Sequence, residues 1–556
     1  MKKNILFAFL IMTITSCNKN NEIIYKISQN NTKENASLEI TMEFNAGQNG
    51  TTTLLFQDKA WGQDNLHNTI SNLKSKQETE IEIQKDSGWI ILKHATNLDK
   101  IEFSYTLKQD SKLPITTKNT YRPIIQKEYF HIFSHNFFMI PKNYVPNSSS
   151  PFDVQIEWKE FANDFNLVNS FATNKRIQEI KNTNEDSFHS AVFTGGDYKP
   201  YVLNINNNKV VLAIKGDWKV FKDSTMVRVL EKTIQAQRDF WKDHSQKYFA
   251  VTMTPTHLER GSSFQGSGLT NSFATSASNN EYLELEGLLY LFNHELQHNW
   301  IGHLIKNENE EEQYWFSEGF TDYYTIKNIA KNNINNLDEN YFIKEFNEMI
   351  KALFNSPVKD APNKEINYTN FWSNYDYSKL PYRRGAVFAF YLDNKIRQES
   401  NGEKSLDDLM LAIKDDAKLH KQKITHSYFI NKTNEFLKED IKPFFEKHIE
   451  KGKLFDLNSI FSEFGFDYNS SSKAFDLGFT FTKDKKQIAE IDINSNAYKA
   501  GLRKGDRITS RSYYRNNPHK EAFFKVKGKS YKYFPVKESE IPTLKENKHN
   551  KTVLSF

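Results

Sequence analysis

The sequence predicts a multidomain α+β chain: a β-rich N-terminal domain, a mixed middle region that turns helical, and a small C-terminal domain. Three observations predict this. Between residues 36 and 215 apolar side chains recur at alternate positions, as in Leu38, Ile40, Met42, Phe44 and again Ile101, Phe103, Tyr105, Leu107. That period is the mark of half-buried strands. From 216 to 465 helical spacing takes over, and from 470 to 556 the chain changes character again. With 556 residues and 38% hydrophobic content, it is long enough to bury several cores. Lys plus Arg exceed Asp plus Glu by 74 − 69 = 5, and the basic residues are dispersed, so nothing marks a nucleic-acid surface.

The chain opens with Lys2 and Lys3, an apolar run from Ile5 to Ile14, then Thr15, Ser16 and Cys17. The run is short for a bilayer-spanning helix and has the layout of an export signal. Cys17 is the only cysteine, so no internal disulfide is expected. Its position directly after Ile14-Thr15-Ser16 resembles a bacterial lipoprotein cleavage box. This implies a signal peptide at 1–17, a lipid on Cys17 as membrane anchor, and residence at the periplasmic face of a membrane or the cell surface. Residues 18–35 are polar and read as a tether. The β-rich domain follows at 36–215, its series continued by Ile81, Ile83, Val154, Ile156 and Trp158; His131, His135 and His189 are scattered through it as packing or surface residues.

In the middle region Val227, Leu230, Ile234 and Phe240 predict a helix, and YFAVTM from Tyr248 a strand. The Gly/Ser-rich stretch 261–278 runs into an edge strand. The chemistry lies in the next helical run, EYLELEGLLYLFNHELQHNWIGHLI, which Ser278 and Glu281 start as a capping box. One helical turn separates His294 from His298, so both imidazoles project from one face and share an ion. Glu295 leans to the same side, within reach of a metal-bound water as general base. A third ligand has to come from elsewhere. Glu318 follows His298 after 19 intervening residues, a span that admits Gly302, the acidic loop ENEEEQ and an antiparallel return helix. Two histidines and a glutamate suit one Zn²⁺ and leave its fourth position to water. Asp322, one turn beyond Glu318, is placed to orient a ligand imidazole.

The residues after HELQH, Trp300 and Gly302, and the phrase WFSEGFTDYY at 315–324 resemble the gluzincin metallopeptidases. The wording Glu-Gly-Phe-Thr-x-Tyr-Tyr is similar to the glycyl aminopeptidase family, whose members bear a PDZ domain and are distantly similar to aminopeptidase N. The resemblance implies a thermolysin-like catalytic domain with a helical subdomain at 216–465, a PDZ-like domain at 470–556, one Zn²⁺ held by His294, His298 and Glu318, and a peptide or protein substrate. The string YSKLPYRRGAVFAFYLDNKIR from Tyr377, followed by SLDDLM from Ser405, matches the family's Tyr-x-x-Gly helix opening, its Asp and Ile-Arg, and its Ser-Leu-Asp-Asp. By that resemblance Tyr382 is the phenol that stabilises the oxyanion beside zinc. Tyr377 is a weaker candidate. Arg383 and Arg384 either touch substrate or solvate the helix.

The chain departs from the family at one point. Where a Gly-Gly-Leu-Glu-His motif holds the substrate amine, this sequence has Gly268-Leu269 followed by Thr270 and Asn271, with Glu259 as a shifted substitute. In the C-terminal domain, DLGF at 476–479 resembles a PDZ carboxylate-binding loop, and Ala500-Gly501-Leu502 with Gly505-Asp506 the turn after its small helix. After Ile508 no second helix follows, so a structural role stands beside a peptide-binding one. The expected function is a zinc-dependent peptidase. Aminopeptidase, endopeptidase without amine recognition, and a surface-anchored scaffold that has lost activity stay open.

Overall fold

Alternation of apolar and polar side chains builds the N-terminal unit. In the computed structural model, which describes residues 21–31, 36–554 and 556, the chain divides into two units. The first comprises the described residues up to Leu113 together with Asn119–Tyr198, and the second Pro114–Lys118 with Lys199–Phe556. Cys17 and the signal segment lie outside the described residues. Among the described residues no helix is long and apolar enough to cross a membrane.

The first unit is built on strands β1 (Glu22–Asn31), β2 (Ala36–Asn45), β3 (Ile70–Ser75), β4 (Lys100–Lys108), β5 (Phe152–Lys159) and β6 (Ile177–Thr183), in the sheet order β6-β5-β1-β2-β4-β3. Phe152, Val154, Ile156 and Trp158 of β5 are buried, and every intervening residue is half-buried or exposed, the pattern of a sheet with one face on the core. Two four-stranded sheets complete the unit. The tether read at 18–35 is corrected here. Residues 22–31 form an interior strand, parallel to β5 and antiparallel to β2, with Ile23, Tyr25 and Ile27 fully buried. The alternation within EIIYKIS was sufficient for a strand; the polar residues around it masked the signal.

The domain boundary at 215 also shifts. Strands β7 (Tyr198–Ile205) and β8 (Asn208–Lys215) join β9 (Tyr248–Thr256), β10 (Phe264–Leu269) and β11 (Ser272–Ser278) in a five-stranded sheet ordered β7-β8-β9-β11-β10. Period two identifies strands but does not say which sheet they enter. Helix α1 (Asp223–Trp241) packs on this sheet through Met226, Leu230 and Ile234, and α2 (Leu285–Gln297) through Leu288, Phe292 and Leu296. The capping box at Ser278 and Glu281 does not form. Ser278 ends β11, and α2 begins at Leu285 after Glu284.

Among the helices that follow are α3 (Glu310–Ser317), α4 (Gly319–Lys331), α5 (Glu339–Phe354), α6 (Tyr375–Glu399) and α7 (Leu406–His420). Part of the acidic loop is in fact the first turn of α3, with Glu310, Glu311 and Glu312 where a helix favours negative charge. A buried ionic network joins three of these helices. Lys327 of α4 donates to Asp393 of α6 at 2.8 Å and to Asp407 of α7 at 2.7 Å, and Tyr323 donates to Asp393 at 2.6 Å. Such a network is costly to break from one side, because a lone charge would remain in the core.

The C-terminal segment forms β12 (Ser472–Phe475), β13 (Phe479–Phe481), β14 (Ile488–Ile491), β15 (Ile508–Ser512), β16 (Ala522–Val526), β17 (Lys529–Tyr533) and β18 (Val536–Ser539). Phe479, Leu502, Phe524 and Tyr533 form its small core. The stretch 470–556 is not one domain, however: Ile541, Leu544 and Leu554 pack into the helical core, and Leu544 exchanges two hydrogen bonds with Asn347 of α5, both at 2.9 Å.

Candidate active site

Helix α2 is apolar on both sides, with Leu288 and Phe292 on the sheet and Leu289 in the helical core. Its last turn is therefore fixed from two directions. His294 lies in that turn and His298 at its C-cap, with helical φ −63° and ψ −14°. His294 Nδ1 donates to Asp322 Oδ1 at 2.8 Å, and His298 Nδ1 donates to the carbonyl of Ile301 at 3.0 Å. Those partners assign the proton to Nδ1 in each ring, leaving the Nε2 lone pairs to face each other 3.2 Å apart.

Glu318 completes the group from the junction of α3 and α4, where it is the C-cap of one helix and the N-cap of the next. Its Oε2 lies 3.4 Å from His294 Nε2 and 3.8 Å from His298 Nε2. That oxygen is buried and has no hydrogen-bond partner. Ligand atoms from His294, His298 and Glu318 all fall within 4.8 Å of one another. Two facing lone pairs and an orphaned carboxylate oxygen fit a bound cation and little else.

The electrostatics agree. Burial presses the His294 imidazole toward neutrality, but the carboxylates of Asp322 and Glu318 outweigh it and lift its pKa to about 10. Burial likewise opposes ionisation of Glu318, yet His294, His298 and Tyr382 bring its pKa down to about 2. The pocket is built around positive charge.

Tyr382 reaches the group from α6. Its ring lies nearly parallel to that of His294, with centroids 5.9 Å apart. Burial, and then the charges of Glu318 and Asp322, push its pKa well up, so it stays a phenol with a proton to donate. A close helix crossing brings it there. A Cβ on Gly385 would stand 1.9 Å from the Trp315 carbonyl, and one on Gly319 would stand 2.4 Å from Gly385 Cα. Only glycine at both positions lets α4 and α6 meet backbone to backbone.

Glu295 points to the other wall. A Cβ on Gly266 of β10 would lie 3.1 Å from its Cγ, so the strand runs directly past this carboxylate. As the sequence predicted, β10 is an edge strand, paired among the described residues only with β11.

Several other residues fall elsewhere. Thr270 and Asn271 form the tight turn between β10 and β11, Asn271 with φ 48°. Glu259 is exposed in the loop before β10. Neither supplies an anionic anchor among the described residues. Tyr377 donates to Glu365 at 3.1 Å. Arg383 and Arg384 do not solvate the helix. Both are buried, with Arg383 donating to the carbonyl of Ala352 and Arg384 to those of Lys359 and Ala361. His131 and His135 are buried in the other unit. Sequence reasoning missed Tyr290, whose ring also lies nearly parallel to His294, at 6.4 Å; its i, i+4 spacing from that histidine was the available signal.

Two imidazoles and a carboxylate around one point, with a second carboxylate and a phenol beside them, define the class of zinc-dependent metallohydrolases. The comparisons make this specific. Residues 270–448 match the Peptidase family M1 domain, and the chain is a zinc metallopeptidase. Its fold is shared with an aminopeptidase N family protein from Idiomarina loihiensis, at 14% identity, a TM-score of 0.71, and coverage of 96% of this chain and 99% of that one. An M1 zinc metallopeptidase from Deinococcus radiodurans aligns at 12% identity over 79% of this chain and 94% of that one, with a TM-score of 0.44. No curated protein matches the chain in sequence.

Proposed function

We propose that His294, His298 and Glu318 hold the zinc ion of this peptidase, with Glu295 as general base and Tyr382 as the donor to the carbonyl oxygen. The observation that carries this is the pair of Nε2 atoms 3.2 Å apart beside the unpartnered Glu318 oxygen. Zinc, when bound there, supplies Lewis acidity toward a water and a peptide carbonyl. Glu295 accepts the water's proton and passes it to the leaving amine. Tyr382 keeps its proton and donates a hydrogen bond to the oxygen that gains charge. Asp322 holds His294 in the required tautomer. The free edge of β10 pairs with an extended peptide backbone. The test is hydrolysis of a mixed peptide pool with and without chelator; a pool left uncut in the presence of zinc refutes the reading.

An aminopeptidase of the glycyl aminopeptidase type is the finer reading supported by the match of motifs around Glu318 and Tyr382. The turn at Thr270 and Asn271 supports the rival, an endopeptidase. Comparing free and N-acetylated peptides separates them, since strict dependence on a free amine excludes the endopeptidase.

The small domain around Phe479 reads as PDZ-like with a structural role. In its DLGF loop the N–H of Gly478 donates to the loop's own Asp476 carboxylate at 2.7 Å, and Lys537 pairs with that carboxylate at 2.9 Å. The seat of a peptide carboxylate is thus filled from within. Lipidation at Cys17, and with it a membrane-anchored exported protein, rests on the signal layout alone. A Cys17→Ala chain that still labels with palmitate and stays in the membrane fraction would refute it.

A further inference from the structure

A cation stands beside the phenol of the site, and catalysis does not use it. Lys379, one turn before Tyr382 on α6, holds its Nζ 4.0 Å from the centroid of the Tyr382 ring. It is half-buried, and among the described residues no carboxylate pairs with it. The nearest acid along the helix is already engaged, since Asp376 accepts from Arg515 Nη2 at 3.0 and 3.2 Å.

Arg515 belongs to the loop between β15 and β16. The same loop carries Lys520, which pairs with Glu284 at the N-cap of α2. Just past the loop, the Phe523 ring lies 4.8 Å from the guanidinium of Arg260, which precedes β10. The loop is thereby tied to both walls of the groove, to the start of α6 on one side and to the starts of α2 and β10 on the other. Along α6, Lys379 lies between Asp376, which the loop holds, and Tyr382.

Resting on the peptidase reading, we propose that this loop closes one end of the groove and that Lys379 receives the C-terminal carboxylate of a short peptide there. The substrate class is peptides with few residues beyond the cleaved bond. Charge decides the polarity: an unpaired ammonium repels a free amine and attracts a carboxylate. Reach agrees, because the ammonium lies within about 7 Å of the phenol oxygen, a span of roughly two extended residues.

The test compares trialanine with its C-terminal amide. The acid is expected to be cleaved with kcat/KM about tenfold higher or more, the difference appearing in KM, as for uniform binding. In Lys379→Met that ratio should fall close to one, and in Lys379→Arg it should be retained. Calorimetric binding of dialanine and its amide to Glu295→Gln protein should show the same preference, again lost when Lys379→Met is added. Elemental analysis confirms zinc in each variant. Equal cleavage of acid and amide by the unaltered protein overturns the inference and leaves the peptidase reading intact. So does cleavage of decapeptides with no cleavage of trialanine. If neither these peptides nor the mixed pool is cut, both readings fall.

Discussion

Two sets of buried histidines in this chain have opposite electrostatics. His131 and His135, in the N-terminal unit, have no hydrogen-bond partner on any of their four ring nitrogens. Burial drives their pKa values down to about 4 and about 3, with His189 adding to the effect on His135. His294 is buried too, yet two carboxylates raise it to about 10. Burial by itself makes a histidine neutral packing; carboxylate neighbours make the same ring a place for a cation. Residue type and depth therefore do not identify a ligand, whereas the neighbours do.

The largest test of that contrast is removal of a carboxylate from the cation site. Glu318→Ala should lower bound zinc, measured by elemental analysis, from one ion per chain to a small fraction of that, since three protein ligands become two. Unchanged stoichiometry would mean the third ligand lies elsewhere. Glu295→Gln should separate chemistry from binding, keeping zinc while peptide hydrolysis falls by about 10²-fold or more. Asp322→Asn touches only the orientation of His294. Zinc affinity, from competition with a chelating dye, should weaken by about 10- to 100-fold; no change would show that the carboxylate behind the ring is not what distinguishes the two sets.

The smallest effect belongs to the other set. For His131 and His135 the folded pKa values lie below the ordinary 6.5, so above that pH these rings cost nothing. As pH falls from about 6.5 toward 4, the unfolded chain takes up protons that the folded rings refuse, and stability falls by up to about 1.4 kcal/mol per pH unit for each ring. In urea melts of the full chain between pH 7 and pH 4.5, His131→Phe should flatten that slope by about one proton's worth. An unaltered slope would mean that His131 takes up its proton while folded.

Local signals carried much of this architecture. Alternation in Val154, Ile156 and Trp158 announced a strand because each inward side chain loses its water. The spacing of His294 and His298 announced a shared face because a helix offers no other geometry. What escaped was settled by contacts distant in sequence. The strand at Glu22–Asn31 gains its place from β5, some 130 residues away. The return of Leu544 to Asn347 spans nearly 200 residues. Gly319 and Gly385 read as ordinary helix residues until the two helices are brought together. Arg384 is polar in sequence but buried, with one guanidinium nitrogen, Nη2, donating to the carbonyls of Lys359 and Ala361.

The glycine crossing has one more consequence, for how the groove responds to ionic strength. Glu318 and Tyr382 are held by backbone against backbone, a contact that dissolved ions do not weaken. The loop across the groove end is held by Lys520 on Glu284 and Arg515 on Asp376, pairs of partly exposed charges. Added salt screens such pairs while sparing close-packed cores. Salt therefore loosens the end of the groove and leaves the spacing of the reacting groups as it was.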